Sequence, residues 1–105
     1  MTWKTKQLRR PIMSFGVQIT ELVLREPGMS EVNDIKAYPY TVCPDEDGGV
    51  EIRIKPLLVG KYIQALADVP AGAVKEMHPA DVFEIGNELM GFFMGGSQDE
   101  AASAS

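Results

Sequence analysis

The only histidine, His78, and the only cysteine, Cys43, are the residues that could supply a nucleophile and its activating base. They are separated by about 35 residues, and His78 precedes Pro79 at a predicted helix start, where a capping or surface role is the simpler reading. The carboxylates Asp45, Glu46, Asp47 and Glu51, with Gly48 and Gly49, have the composition of a calcium loop. An EF-hand loop, however, spreads its ligands over about twelve residues and ends on a bidentate Glu. Glu51 arrives too early for that, so a solvated hairpin tip is the better reading. One Cys and one His cannot make a zinc set, and no P-loop or dinucleotide fingerprint occurs. Paired carboxylates could converge only through the fold. The expectation is a protein with no catalytic residue, no cofactor and no metal, which acts by binding.

The residues suited to binding lie near the C-terminal end. Val82, Ile85, Gly86, Leu89 and Phe93 make one apolar stripe at helical spacing, and Phe83, Met90 and Met94 make a second beside it. A small domain has limited room to bury both. Methionine is flexible and polarizable and phenylalanine supplies area, which suits an adaptable docking surface. Phe83, Leu89, Met90, Phe92, Phe93 and Met94 are therefore the candidate protein-binding residues, the alternative being that they fill the core.

The elements that would position them follow from patterning. Residues 8–13 and 17–25 are β-favouring runs joined through Ser14, Phe15 and Gly16, which predicts a hairpin. Pro27 and Gly28 stop the second run. A short helix then begins with Ser30 as N-cap and Glu31 in its first turn, and runs to about Ala37. Residues 40–43 and 50–55 flank the turn-rich Pro44 to Gly49 and predict a second hairpin. From Pro56 to Ala67 the apolar period becomes helical; a shorter helix covers about 71–76, and the last runs from Pro79 to Met94, with Pro79 at its first position and Asp81 in its first turn. The fold class is α+β, with the C-terminal helices packed on the sheet. The expected organisation is a basic flexible leader over 1–7, one domain over 8–96 and a disordered polar tail over 97–105.

With 105 residues, 45% of them hydrophobic and 24% charged, the chain has the balance of one ordinary globular domain. Its net charge of −5 disfavours nucleic acid as the main partner, because phosphate binding is driven by basic side chains. The charge is uneven: Lys4, Lys6, Arg9 and Arg10 concentrate positive charge in the first ten residues. That run reads as a solubilising leader, with a phosphate- or headgroup-gripping arm beside Trp3 as the alternative. A lone cysteine excludes an intrachain disulfide and suits a reducing compartment. No apolar run is long enough for a membrane span, and the N-terminus lacks a signal-peptide core, so a cytoplasmic location is expected.

The order of these residues resembles a known family. Arg10-Pro11-Ile12, Gly16, the run from Ile19 to Pro27 and Asp34 are similar to the opening of the tail assembly chaperones of contractile-tailed, Mu-like phages and prophages. The run Tyr62 to Ala67, Val69-Pro70, the step Met77 to Asp81 and Phe92-Phe93 resemble the same family at its other end. The resemblance implies binding of the tape-measure protein, recruitment of tail tube subunits, self-association as a further possibility, residence in the host cytoplasm and absence from the mature virion. It also implies that a longer frameshifted form can exist. A structural virion component, such as a small tube or completion protein joined to neighbours by edge strands, is the alternative. A nucleic-acid-binding regulator is a third class.

Overall fold

A computed structural model describes residues 2–95. The elements run β1 (Thr2–Ser14), β2 (Val17–Arg25), α1 (Met29–Ile35), β3 (Tyr40–Pro44), β4 (Val50–Ile54), α2 (Pro56–Ala67), α3 (Ala71–Glu76) and α4 (Pro79–Phe93). This is the expected α+β order, with two separate two-stranded antiparallel sheets, β1–β2 and β3–β4. Phe15 and Gly16 both take positive φ, 52° and 80°, as a two-residue hairpin turn with the twist of its strands requires. Pro56 and Pro79 open α2 and α4, where a missing N–H costs no hydrogen bond. Asp68 closes α2 in the left-handed conformation. The short helix α1 is capped by Gly28 rather than Ser30, because Glu31 reaches back to accept from the Gly28 N–H at 2.8 Å. It ends at Ile35 instead of Ala37.

The core lies between the inner face of the first hairpin and the helices. Ile12, Leu22 and Leu24 meet Val59, Tyr62, Ile63 and Leu66 of α2 and Ile85 and Leu89 of α4. Burying each such aliphatic side chain is worth roughly 1.5–3 kcal/mol. Tyr62 is the polar exception. Its hydroxyl donates to the Ala37 carbonyl at 2.6 Å, tying the α1–β3 connection to α2. Burial, reinforced by Tyr38, pushes the phenol up to about 12, so it remains a donor at physiological pH.

The N-terminal segment differs most from expectation. Residues 2–7 are not a flexible leader but the first half of β1, paired with β2 from Thr2 opposite Arg25. The reason is electrostatic and lies far along the chain. Asp81, Glu84 and Glu88 face β1 from α4, and the basic residues meet them in order. Lys4 Nζ lies 4.0 Å from Glu88; Lys6 pairs with Glu84 and lies 3.8 Å from Asp81; Arg9 pairs with Asp81 and, at 2.8 Å, with Glu84. The match is geometric: two residues along a strand span about 6.6 Å and four along a helix about 6 Å. Arg10 instead donates to the carbonyls of Glu76 and Met77 at the end of α3, at 2.9 and 3.3 Å. All four basic side chains thus have partners on α3 or α4, with Lys4 and Arg9 remaining partly exposed. Residues 96–105, and with them the expected polar tail, lie outside the described residues.

Asp81 is fully buried. A buried carboxylate needs partners, and β1 supplies them by interrupting its own ladder. Between the pairs Gln7–Glu21 and Ile12–Ile19, β1 advances five residues while β2 advances two. The resulting bulge frees the Arg9 N–H to donate to Asp81 Oδ2 at 2.9 Å, while the Arg9 guanidinium reaches the other oxygen. Hydrogen bonds from Arg9, then Lys6, hold the Glu84 carboxyl down to about 2. Because its folded value lies below the ordinary 4.5, Glu84 contributes stability that is complete above that pH and is lost as pH falls towards 2. Its partial exposure leaves the effect open to screening by salt. Glu84→Gln is expected to lower stability at pH 7 and to flatten the stability–pH curve between about pH 4.5 and 2, with the difference shrinking in high salt; urea unfolding across that range measures it.

Candidate functional site

The second hairpin and α4 enclose the candidate site. In β3–β4, Tyr40 opposes Ile54, Val42 opposes Ile52 and Pro44 opposes Val50, which puts all six on one face; Thr41, Cys43, Glu51 and Arg53 occupy the other. The end of the apolar face nearest the body packs on α4 at Gly86. A Cβ there would lie 2.8 Å from Ile54 Cγ2 and 3.1 Å from Val59 Cγ2, so this glycine allows β4, α2 and α4 to meet. Farther out the hairpin diverges from the helix. A cleft of about 550 Å³ opens between them, lined by Ile52, Ile54, Pro56, Pro79, Val82, Phe83, Asn87 and Met90.

Among the described residues, Asn87 is the one polar side chain in that lining, and no titratable group lines the cleft. Such a surface can exclude water from an apolar segment and fix its position through one amide, but it holds no acid, base or nucleophile. A shallower depression beside it, lined by Lys55, Pro56, Leu57, Leu58, Lys61 and Gln64, leaves Leu57 87% exposed.

The candidate binding residues separate into three environments. Phe83, 57% exposed, and the half-buried Met90 line the cleft, so the second apolar stripe of α4 is the outward one. Met94 is exposed just beyond the helix and lies outside the cleft lining. Leu89 is completely buried in the core, beside Ile85 on the inner stripe of the helix. Phe92 and Phe93 belong to a chain of edge-to-face rings. Trp3 meets Phe92 at 5.5 Å, Phe92 meets Phe93 at 5.7 Å, and Phe93 meets Tyr38 and Tyr62 at 5.5 and 5.6 Å. Through Trp3 of β1 and Tyr38, two residues before β3, these two half-buried phenylalanines link the starts of both hairpins to the end of α4. Sequence reasoning missed Ile52, Ile54 and Val82 as cleft residues. The alternation of Val50, Ile52 and Ile54 was a visible signal, but it does not reveal which face lies beside which helix.

The residues that could have carried chemistry have local partners. His78 caps α4, its Nδ1 accepting from the Ala80 N–H at 3.0 Å. Cys43 is half-buried on β3, with its sulfur 3.9 Å from the Thr41 hydroxyl oxygen. Asp45 closes the β3–β4 turn by accepting from the N–H groups of Asp47 and Gly49, each at 2.9 Å, which accounts for a carboxylate at that tip. Among the described residues, no three His, Cys, Asp or Glu side chains gather as a metal site would need. Nor is any helix among them long and apolar enough to cross a membrane.

Fold and cleft together define a small α+β protein with an open apolar cleft. The family of phage tail assembly chaperone proteins, E, or 41 or 14, matches residues 5–94, and the chain belongs to that family. The match runs through the second hairpin as well as the two ends. Neither the curated proteins nor the solved structures contain a match.

The division of α4 into packed and outward aromatics can be measured directly. Phe93→Ala should destabilise the protein by about 3 kcal/mol, as loss of a packed ring does. Phe83→Ala should change stability by no more than about 0.5 kcal/mol, as expected at an exposed position. Urea unfolding of the two variants checks the contrast.

Proposed function

We propose that this tail assembly chaperone binds the tape-measure protein through the cleft between β4 and α4, keeps its apolar segments soluble, and assists the recruitment of tail tube subunits around it, with no chemical turnover. The observation that carries this reading is the cleft itself: apolar side chains from β4 and α4, several of them exposed, around a single amide and no titratable group. Family membership supplies the class of client, since a tail assembly chaperone acts on tail proteins. A tape-measure protein is long, and shielding its apolar stripes before the tube closes calls for contacts that are broad, apolar and reversible. Phe83 and Met90 provide adaptable area of that kind. The site of action is the cytoplasm of the host cell, and the chaperone leaves before the virion is complete.

Co-expression with the tape-measure protein of the same locus, followed by pull-down, tests this. The wild-type chain should retain the client. Phe83→Asp should lose most of it while remaining folded by circular dichroism, because position 83 is exposed and outside the core. Retention of the client by Phe83→Asp would place binding elsewhere. Recovery of the chain from purified mature particles, rather than from assembly intermediates alone, would favour the structural-component alternative.

A further inference from the structure

The second hairpin has two open edges of unequal character. Lys55 N–H donates to the Pro39 carbonyl at 2.9 Å and Asp45 N–H to the Gly49 carbonyl at 3.1 Å, which fixes the hydrogen-bonding phase of the ladder. Residues 51 and 53 of β4 therefore turn their backbone groups towards β3, and Val50, Ile52 and Ile54 turn theirs outward. On β3 the outward set includes Pro44, which has no N–H to donate. Among the described residues, nothing comparable blocks β4. Its side chains are also uncovered, with Val50 66% and Ile52 36% exposed. A two-stranded sheet of five-residue strands is marginal by itself, and an unpaired apolar edge of this kind is a template for another strand.

Charge identifies the strand that fits. Along β4 and its flanks the sign reverses, from the acidic turn at Asp45, Glu46 and Asp47, through Glu51, to Arg53 and Lys55. A strand with opposite ends is complementary to itself when run antiparallel. We infer that β4 pairs with β4 of a second copy about a two-fold axis at Ile52, joining the hairpins into a four-stranded sheet. In that register Ile52 faces its counterpart, Val50 faces Ile54, and Glu51 faces Arg53. The Glu51–Arg53 pairs fall at the positions that are not hydrogen-bonded across the new interface, where opposed side chains approach most closely. The acidic turn of each copy comes alongside Lys55 of the other. Glu51 and Arg53 contact each other at 3.0 Å within the single chain, and both remain more than half exposed, so both are free to exchange partners. The two-fold contact closes on itself and produces a dimer rather than a filament. This inference stands on the β4 edge and does not depend on what occupies the neighbouring cleft.

Charge reversal followed by mixing tests it with the full chain. The wild-type protein should sediment at twice the chain mass across a micromolar dilution series. Glu51→Arg places Arg opposite Arg, and Arg53→Glu places Glu opposite Glu; each should weaken self-association by about tenfold or more. An equimolar mixture of the two variants restores opposite charges at every contact across the axis and should recover the dimer. The intrachain pair is broken in both variants, so recovery on mixing reports the intermolecular contact alone. A monomeric wild type, a reversal that leaves the dimer intact, or a mixture that stays monomeric would each overturn the inference.

Discussion

The structure depends on a buried carboxylate. Asp81, with no exposed surface, sits in the first turn of α4, where the helix dipole favours negative charge but cannot by itself replace water. Its partners come from the other end of the chain, through the Arg9 backbone and side chain and the nearby Lys6 ammonium. β1 gives up regular pairing in its middle to provide them, and the bulge between Gln7 and Ile12 marks that cost. Once Arg9 is seated, Lys6 and Lys4 fall opposite Glu84 and Glu88, and Trp3 reaches Phe92. Three charges of a basic run that could have been loose at the surface become a seam fixing the orientation of α4 about its own axis, while the fourth, Arg10, holds the end of α3.

That orientation decides what the helix can do. With Asp81, Glu84 and Glu88 turned to β1, and Ile85 and Leu89 turned to the core, the stripe carrying Phe83, Asn87 and Met90 must face the second hairpin. Gly86 lets the hairpin approach closely at one end, and the aromatic chain through Phe93 to Tyr38 ties its base to the helix end. Between these fixed points the cleft is open. The charged side of α4 holds the helix still, and the apolar side is left open. A segment bound against Phe83 would then meet a rigid wall on the helix and a thinner one on the hairpin.

Much of this architecture was legible in local patterning. The bounds of α2 and α3 agree with the change to helical period and the proline and aspartate signals around them; both hairpins follow from their turns, and the His78–Pro79 step marks the start of α4. What local patterning could not show depends on contacts between residues more than 70 positions apart. Lys6 and Arg9 look like a solvated leader until Asp81 and Glu84 are brought beside them. In the same way Leu89, Phe93 and Phe83 are all apolar residues of one helix, and helical spacing alone does not rank them. Their separate fates, in the core, in the aromatic chain and in the cleft, follow from rotation of the helix by the Asp81 seam. The family resemblance needed none of this, because it rests on the order of residues rather than on which side of α4 they occupy.

We propose that the outward stripe of α4, and not the exposed face of the first hairpin, meets the client. Site-specific photo-crosslinking during co-expression with the tape-measure protein addresses this directly, with the reactive side chain placed at position 83 in one sample and at position 23 in another. Val23 is a suitable control because it is 50% exposed on β2, outside the cleft. A covalent adduct with the client is expected from position 83 and none from position 23. An adduct from position 23 with none from position 83 would contradict the proposal.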